Sequence, residues 1–342
     1  MRPLSELKLD IKDKKILAVL EMDARLPINQ IAKKVGLSKA TVAERIRRIE
    51  ASGLVDRFLV PLNYAALGHT TFRMYVKFEN APPRFENEVA KFLYTQGSVR
   101  WFTFVQGEWD LVFRIMASSV ADFQQAESLF SEKFGMYVKS RAFAIGLAQA
   151  IHRCTFLTGN EGSYLEGIRQ HSKVSPRLSK LDYQILFWLY ENSRMPTFEI
   201  AKKVGQSPDV VAYHIKKLEK SHIFHAYSVR FNRNKLGYIQ TKVIVWLQRA
   251  TPEKTAELLD FCDSHPNVSF FGEILGPWDV EIDMDFMDTN EIYKVLREFR
   301  SKFPELIREM TVLTKIREFE GNPLATFAGY EIPKTSVPKI EV

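Results

Sequence analysis

The segment 13–49, DKKILAVLEMDARLPINQIAKKVGLSKATVAERIRRI, contains three runs in which apolar residues recur at the spacing of one helix face. The apolar positions are Ile16, Leu17 and Leu20, then Ile31, Ala32 and Val35, and finally Val42, Ile46 and Ile49. Gly36 and Ser38 stand between the last two runs, where a left-handed residue ends one helix and an N-cap starts the next. The segment therefore predicts a helix-turn-helix.

The pattern returns 169 residues later along the chain. Residues 13–68 and 182–237 share 22 identities in 56 positions without a gap. The offset persists downstream, where the positions of Gly107, Trp109 and Asp110 match those of Gly276, Trp278 and Asp279. We infer that one unit of roughly 145 residues has been duplicated.

The second part of each unit alternates apolar and polar residues with period two, as strands do. Helical stretches near 84–96 and 119–134 separate the strands of the first unit in the order βαββαβ. The sequence predicts an α+β protein in which two winged helix-turn-helix domains alternate with two ferredoxin-like βαββαβ sensor domains. The expected divisions are 1–63, 68–150, a linker at 151–176, 177–235, 237–320 and a tail at 321–342.

The net charge of +7 is unevenly distributed along the 342 residues. Residues 1–63 carry +5 and residues 172–235 carry +7, whereas residues 236–342 carry −6. Because both basic segments contain the helix-turn-helix patterns, the distribution favours a polyanionic partner such as double-stranded DNA. The absence of a long uncharged apolar run argues against a membrane span, and the two cysteines, Cys154 and Cys262, suit a reducing cytoplasm.

The third helix of the first unit is the candidate DNA-reading helix, because its apolar face leaves a polar and basic face exposed. The candidate DNA-binding residues are Ser38, Lys39, Thr41, Arg45, Arg47 and Arg48. Arg45 is the candidate for a bidentate contact with guanine, and Arg47 and Arg48 are candidates for phosphate contacts. The alternative is a surface helix whose arginines are merely solvated.

The second unit has a less basic reading helix. Its candidate DNA-binding residues are Ser207, His214, Lys216 and Lys217. Because His214 stands at the position of Arg45, we expect this copy to bind DNA with a different or weaker preference.

Each unit resembles the leucine-responsive and asparagine-synthetase regulators, the Lrp/AsnC family. The resemblance rests on residues 9–58, LDIKDKKILAVLEMDARLPINQIAKKVGLSKATVAERIRRIEASGLVDRF, and on VRWFTFVQGEWDLVFRI at 99–115. It implies that the sensor domains associate through their sheets and bind an amino acid or similar metabolite near the loop between their second and third strands. The implied ligand-binding residues are Gly107, Glu108, Trp109 and Asp110, and in the second unit Gly276, Trp278 and Asp279.

Each loop also fits a purely structural turn with a packing tryptophan, and Pro277 removes one backbone donor from the second loop. Family members have one unit where this chain has two. The two fused sensor domains are therefore expected to pair within one chain, as a pseudo-dimer with two non-identical DNA-binding heads.

Two other classes of function remain open from the sequence. Siroheme decarboxylases also combine two such units, and a carboxylated tetrapyrrole requires Arg and His along the sensor cleft. The second and third sensor strands carry no histidine, and Arg100 and Arg114 are their arginines. An architectural DNA binder without sequence preference is the other alternative.

No catalytic set, metal-ligand motif or cofactor motif is recognised, so we expect a non-enzymatic protein without a cofactor. The acidic residues Glu281, Asp283 and Asp285 share one strand face. We expect that face to be solvated or to contact a partner, with cation binding as an alternative.

Overall fold

The computed structural model describes residues 9–152, 177–221, 223–224 and 226–330. Nearly all of the expected linker 151–176, including Cys154, and the tail beyond residue 330 lie outside the described residues, as does the side chain of Arg100.

The two units have corresponding elements. The first unit comprises α1 (Ile11–Met22), α2 (Ile28–Val35), α3 (Lys39–Ala51), β1 (Val55–Leu59), β2 (Thr70–Phe78), α4 (Phe85–Thr95), β3 (Val99–Gln106), β4 (Leu111–Ala117), α5 (Val120–Phe134) and β5 (Val138–Ile151). The second comprises α6 (Lys180–Glu191), α7 (Thr197–Val204), α8 (Pro208–Lys220), β6 (Ser228–Phe231), β7 (Ile239–Leu247), α9 (Pro252–Ser264), β8 (Val268–Leu275), β9 (Val280–Phe286), α10 (Thr289–Lys302) and β10 (Ile307–Glu320). A short helix, α11 (Ala325–Ala328), follows. The fold is α+β, and no helix among the described residues has the length and apolar character needed to cross a bilayer.

The two sensor sheets close into one eight-stranded barrel with the strand order β10-β3-β4-β2-β5-β8-β9-β7. The last strand of each unit makes both joins: β5 pairs with β8, and β10 pairs with β3. Alternate residues of each strand face the four outer helices or the barrel interior, where Tyr75, Trp101, Trp109 and Trp278 form an aromatic core. The two sensor domains thus pair within one chain.

The chain leaving each helix-turn-helix does not pair with itself as the hairpin of a local wing would. Instead, β1 pairs antiparallel with β6 of the other unit. We call these two strands the ribbon. Val229 and Phe231 of β6 pack into the core of the first helix-turn-helix, and Val60 and Leu62 pack into the core of the second. Each head is completed by the other unit because a single strand cannot satisfy its own backbone groups.

The beginning of the tail packs on the second helix-turn-helix. The Trp188 Nε1 donates to the Tyr330 hydroxyl at 3.2 Å, and the Asn322 amide donates to Glu191 at 2.7 Å. Leu324 is fully buried in the same core. The described part of the tail therefore belongs to the second head.

The acidic face of β9 does not contact solvent, contrary to the expectation from its sequence. Glu281 is fully buried and Asp283 is 6% exposed, both inside the barrel. The Arg73 Nε lies 3.1 Å from the Glu281 carboxylate, and the Lys242 Nζ lies 3.2 Å from it. The Lys242 Nζ also donates to Asp283 at 2.5 Å. The expectation was wrong because period-two alternation is the same on a solvated face and on the inner face of a closed barrel.

Two equivalent positions inside the barrel differ in charge between the units, whereas Arg73 and its equivalent Lys242 are both cations. Arg114 of β4 corresponds to Asp283 of β9, and the uncharged Val112 corresponds to Glu281. The first unit thus supplies arginines and the second supplies carboxylates, so the two sensor sheets are electrostatically complementary. Two copies of the first sheet would bring buried arginines together without counter-charges, which is strongly unfavourable.

We predict that Glu281→Gln lowers the free energy of unfolding by about 3–5 kcal/mol, because Arg73 and Lys242 stay buried without their shared carboxylate. Urea denaturation measures the loss. Glu44→Gln is the matched control: Glu44 is 62% exposed and pairs with Arg47 on the surface, so its loss stays below about 1 kcal/mol. Equal losses for the two variants would contradict a stabilising role for the buried network.

The difference between wild type and Glu281→Gln should also depend on pH. Burial disfavours the Glu281 carboxylate, but Arg73 and Lys242 lower its pKa from 4.5 to about 2. A depressed pKa contributes stability that is fully present above the ordinary value and is lost as the pH falls through the folded value. We therefore expect the difference to shrink between pH 4.5 and pH 2.

Candidate functional site

The reading helix α3 begins at a well-formed N-cap. The Ser38 hydroxyl accepts a hydrogen bond from the Thr41 backbone N–H at 3.1 Å and lies 2.8 Å from the Thr41 hydroxyl. Ser38, Lys39, Thr41 and Arg47 are exposed, and the Arg47 side chain is 75% exposed. The helix N-terminus, two hydroxyls, Lys39 and the exposed Arg47, which pairs with Glu44, therefore face outward together, which suits contacts with phosphate groups.

Arg45 and Arg48 form hydrogen bonds to carboxylates at the start of the first helix. The fully buried Asp13 accepts from Arg45 at 2.7 Å and from Arg48 at 2.5 Å, and Arg45 also donates to Asp10 at 2.7 Å. These hydrogen bonds to Asp10 and Asp13 raise the pKa of Arg45. The guanidinium of Arg45 thus fixes the angle between α1 and α3, and a contact with a base would have to share or replace these bonds.

The second unit repeats this arrangement with different cations. The buried Asp182 accepts from His214 at 2.7 Å and from Lys217 at 2.8 Å. Burial opposes its ionisation, but Lys217 and His214 lower its pKa to about 2. Asp13 and Asp182 occupy equivalent positions of the repeat and are identical. This identity is the sequence signal from which their role in binding the cations of the reading helices could have been predicted.

The outward face of α8 is less basic than that of α3. Ser207 caps the helix by accepting from the Val210 N–H, and Lys216 is exposed. Tyr213 is 67% exposed and Val210 is 37% exposed, so apolar surface takes the place of charge. The two heads therefore present different chemistry to a common partner.

The carboxylates of the G-x-W-D loops are bound to backbone within their own units. Asp110 accepts from the Phe78 N–H at 2.8 Å and from the Lys77 Nζ at 2.7 Å. Asp279 accepts from the Leu247 N–H at 2.7 Å. Glu108 is exposed. Both aspartates thus close a turn against the end of a neighbouring strand.

The tryptophans and glycines of these loops pack inside the barrel and at its joins. The Trp278 ring lies 4.5 Å from that of Tyr75, edge to face, and Trp109 is 8% exposed. A Cβ on Gly276 would lie 3.0 Å from the Phe143 carbonyl oxygen of the other unit. These contacts favour the structural alternative for the loops, and amino-acid binding by them stays a prediction.

A cavity of about 430 Å³ lies between the ribbon and one mouth of the barrel, and we call it the ribbon cavity. Its basic residues are Arg57, Arg114, Arg230, Arg233, Lys315 and His152, and its acidic residues are Glu21, Asp56, Asp283, Glu318 and Glu320. Trp101 and Phe270 form part of its wall. Both DNA-binding heads and both sensor domains thus contribute to one partly open cavity with charged and apolar walls.

Most of these charges are already paired. Arg230 binds Asp56 and Glu320, and the Lys315 Nζ lies 2.7 Å from Asp283. The basic residues of the cavity could not be predicted from the second and third sensor strands, of which Arg114 alone among the described side chains contributes one. The others come from the ribbon, from the turn after β6, from the end of β5 and from within β10.

Two capped, outward-facing reading helices on compact three-helix heads define a protein with paired helix-turn-helix DNA-binding domains. Residues 9–50 match the AsnC-type helix-turn-helix domain family, and residues 178–223 match a winged helix-turn-helix DNA-binding family.

Similar proteins have the length of one unit. An uncharacterised HTH-type transcriptional regulator of Pyrococcus abyssi is 30% identical over 115 residues, which cover 33% of this chain and 77% of that protein. Another from Pyrococcus horikoshii is 28% identical over 155 residues, covering 45% of this chain and 96% of that protein. The chain belongs to the Lrp/AsnC family, as a tandem form with two units.

Among solved structures, the siroheme decarboxylase NirDL shares the architecture of the whole chain. It aligns with a TM-score of 0.62 over 93% of this chain and 97% of its own, at 15% identity. Its co-complex with an iron-uroporphyrin III analogue aligns with a TM-score of 0.63, at 14% identity over 93% of this chain and 96% of its own. At this identity the likeness establishes the fold alone.

We predict that Gly107→Ala destabilises the barrel by about 1–3 kcal/mol. Gly107 has φ +143°, and an added Cβ would lie 2.9 Å from the Leu313 side chain and 3.1 Å from the Val312 carbonyl oxygen across the β10 join. Gly135→Ala is the matched control, because Gly135 has φ −56° and its added Cβ meets nothing closer than 4.0 Å. Thermal unfolding compares the two. A Gly107→Ala protein as stable as Gly135→Ala would argue against tight packing at this join.

Proposed function

We propose that the protein is a sequence-specific transcriptional regulator whose two unequal heads bind double-stranded DNA and whose affinity is modulated by a small metabolite. The capped and basic outer face of α3 carries the proposal. It combines exposed Lys39 and Arg47 with an N-terminal hydroxyl pair, in a domain that matches the AsnC-type helix-turn-helix family.

The pairing of the units supports an asymmetric binding site. The ribbon and the barrel join the heads within one chain, so one chain has the two heads for which a one-unit relative needs two copies. Arg45 in one head is replaced by His214 in the other, and Glu44 by Tyr213. Because different side chains at equivalent positions read different base edges, we expect two non-identical half-sites.

In-vitro selection from genomic fragments at near-physiological salt tests this function. We expect a discrete motif to be enriched, and Arg45→Ala to lose about 1–3 kcal/mol of affinity and to relax the preference at one base pair. Arg47→Ala should weaken binding to all sequences alike and reduce the salt slope by about 1, because it removes one phosphate contact.

Asp10→Asn is the matched control for Arg45→Ala, since it loosens the same tie to α1 while keeping the guanidinium. If the base preference survives Arg45→Ala, or if Asp10→Asn relaxes it equally, Arg45 has a structural role and does not read a base. Binding of scrambled DNA with undiminished affinity would replace specific regulation by architectural binding.

A tetrapyrrole-processing enzyme is the second candidate, favoured by the alignment with NirDL and by the arginines and the histidine of the ribbon cavity. The balance of charge weighs against it. Five carboxylates line the same cavity, and Arg230, Arg233 and Lys315 already bind carboxylates. A ligand with many carboxylates would lack counter-charges and would have to displace these buried pairs.

An absorption titration with iron-uroporphyrin III separates the two candidates. We expect no stoichiometric complex with the wild-type protein at micromolar concentration. A stoichiometric complex that Arg57→Gln abolishes and the exposed control Arg141→Gln retains would favour the enzyme, since Arg141 lies on β5 away from the cavity and pairs with Glu127.

A further inference from the structure

We propose that the ribbon cavity is the effector site, and that its ligand is a small organic acid with one or two carboxylates. This inference rests on the proposed function as a regulator. It places the effector away from the G-x-W-D loops, whose aspartates already bind backbone N–H groups. The cavity volume of about 430 Å³ lies within the range of small-molecule sites, about 300–1,000 Å³.

Arg57 supplies the first open donor. Its Nη2 donates to the Glu320 carbonyl oxygen at 3.4 Å, and its guanidinium lies 5.8 Å from the centre of the Tyr190 ring. Its Nη1 is buried and has no hydrogen-bond acceptor among the described residues. An unmade hydrogen bond on a buried cation is costly, and a ligand carboxylate is the acceptor that relieves it best.

His152 supplies the second open position at the end of β5. Its side chain is 6% exposed, and its Nε2 lies 2.6 Å from the Asp263 carboxylate. Its Nδ1 is buried without a partner among the residues that the structure describes. With Asp263 accepting from Nε2–H, the imidazole is fixed in orientation, and as an imidazolium it donates from Nδ1 to a ligand carboxylate.

The other charged residues of the cavity limit the number of carboxylates that a ligand can carry. Arg233 lies 2.9 Å from Asp285, Lys315 pairs with Asp283 and Glu318, and Arg230 pairs with Asp56 and Glu320. Arg57 Nη1 and His152 Nδ1 are thus cavity nitrogen atoms without a hydrogen-bond partner among the described residues. Because Asp263 already pairs with His152, these two positions suit a ligand with one or two carboxylates rather than many.

The aromatic wall defines the rest of the ligand. The Arg114 guanidinium lies between Trp101 and Phe270, 4.6 Å and 4.7 Å from their ring centres. These rings offer apolar surface beside the open donors, so a planar or short apolar body attached to the carboxylate fits best.

The position of the cavity connects ligand binding to the DNA-binding heads. Val229 and Phe231 line the cavity and also pack in the core of the first helix-turn-helix. A ligand held between them and the barrel stabilises one position of the ribbon, and hence one spacing of the two heads. Such a ligand changes DNA affinity by the difference in its own affinity for the two positions.

Isothermal titration calorimetry of the full chain with benzoate, phthalate and succinate tests the site, with benzamide and succinamide as uncharged controls. We expect at least one acid to bind, tenfold or more tightly than its amide. Arg57→Gln should weaken that acid about tenfold or more, because it removes a charge-assisted hydrogen bond. His152→Gln should weaken it as well, because the Gln amide can keep the bond to Asp263 but lacks the unpartnered Nδ1.

Arg141→Gln is the control and should leave binding unchanged, and thermal unfolding of each variant checks its fold. The acid that binds should also shift the affinity for the selected DNA in wild type and not in the cavity variants. Failure of all three acids to bind at millimolar concentration, or binding that both cavity variants retain, would overturn the site. Carboxylate binding without any DNA selection would instead leave the site standing and refute the regulator.

Discussion

The exchange of strands between the two units is the constraint on which the rest of the structure depends. Neither sensor sheet is complete alone, because β5 and β10 each extend beyond their own unit to pair with β8 and β3 of the other. Closure removes the open edges that a four-stranded sheet would expose. The ribbon joins the heads in the same way, since β1 pairs with β6. Residues of β6 pack into the core of the first head, and residues that follow β1 pack into the core of the second. The position of each head therefore depends on both units.

The closure of the barrel also favours different buried charges in the two units. In a symmetric dimer, each buried charge would meet its own copy, so Arg73 and Arg114 would face further arginines. In the fused chain, Glu281 and Asp283 of the second unit supply the counter-charges instead, to the arginines and to Lys242. Buried ion pairs add little net stability, but they penalise wrong pairings severely. The barrel charges thus favour pairing between unlike units, and this permits unlike heads such as those with Arg45 and His214.

The sequence predicted the parts of the fold that depend on local periodicity. The helices around Ile16, Ile31 and Val42 and the βαββαβ order follow from spacing and from the residues that cap each element. The ribbon could not be predicted, because the strand pattern near Phe58 does not specify whether its partner is local or lies in the other unit. The burial of Glu281 was not predicted for a related reason. Period-two alternation does not show which face of a strand lies inside a closed barrel. Arg57 and His152 are 95 positions apart in sequence, so no motif could join them.

A cavity between two parts of a protein is useful for regulation only if the ligand distinguishes two arrangements of those parts. The ribbon meets this requirement better than the G-x-W-D loops do. Trp109 and Trp278 are locked in a packed aromatic core, where any displacement would cost the contacts of the whole barrel. The ribbon, by contrast, has two short strands and meets the barrel across charged pairs such as Arg230 with Glu320. Polar contacts of this kind can be exchanged for ligand contacts at a small net cost. An acid that binds Arg57 therefore acts on an element shared by both heads, and about 1 kcal/mol of preference for one ribbon position is enough to change DNA affinity severalfold.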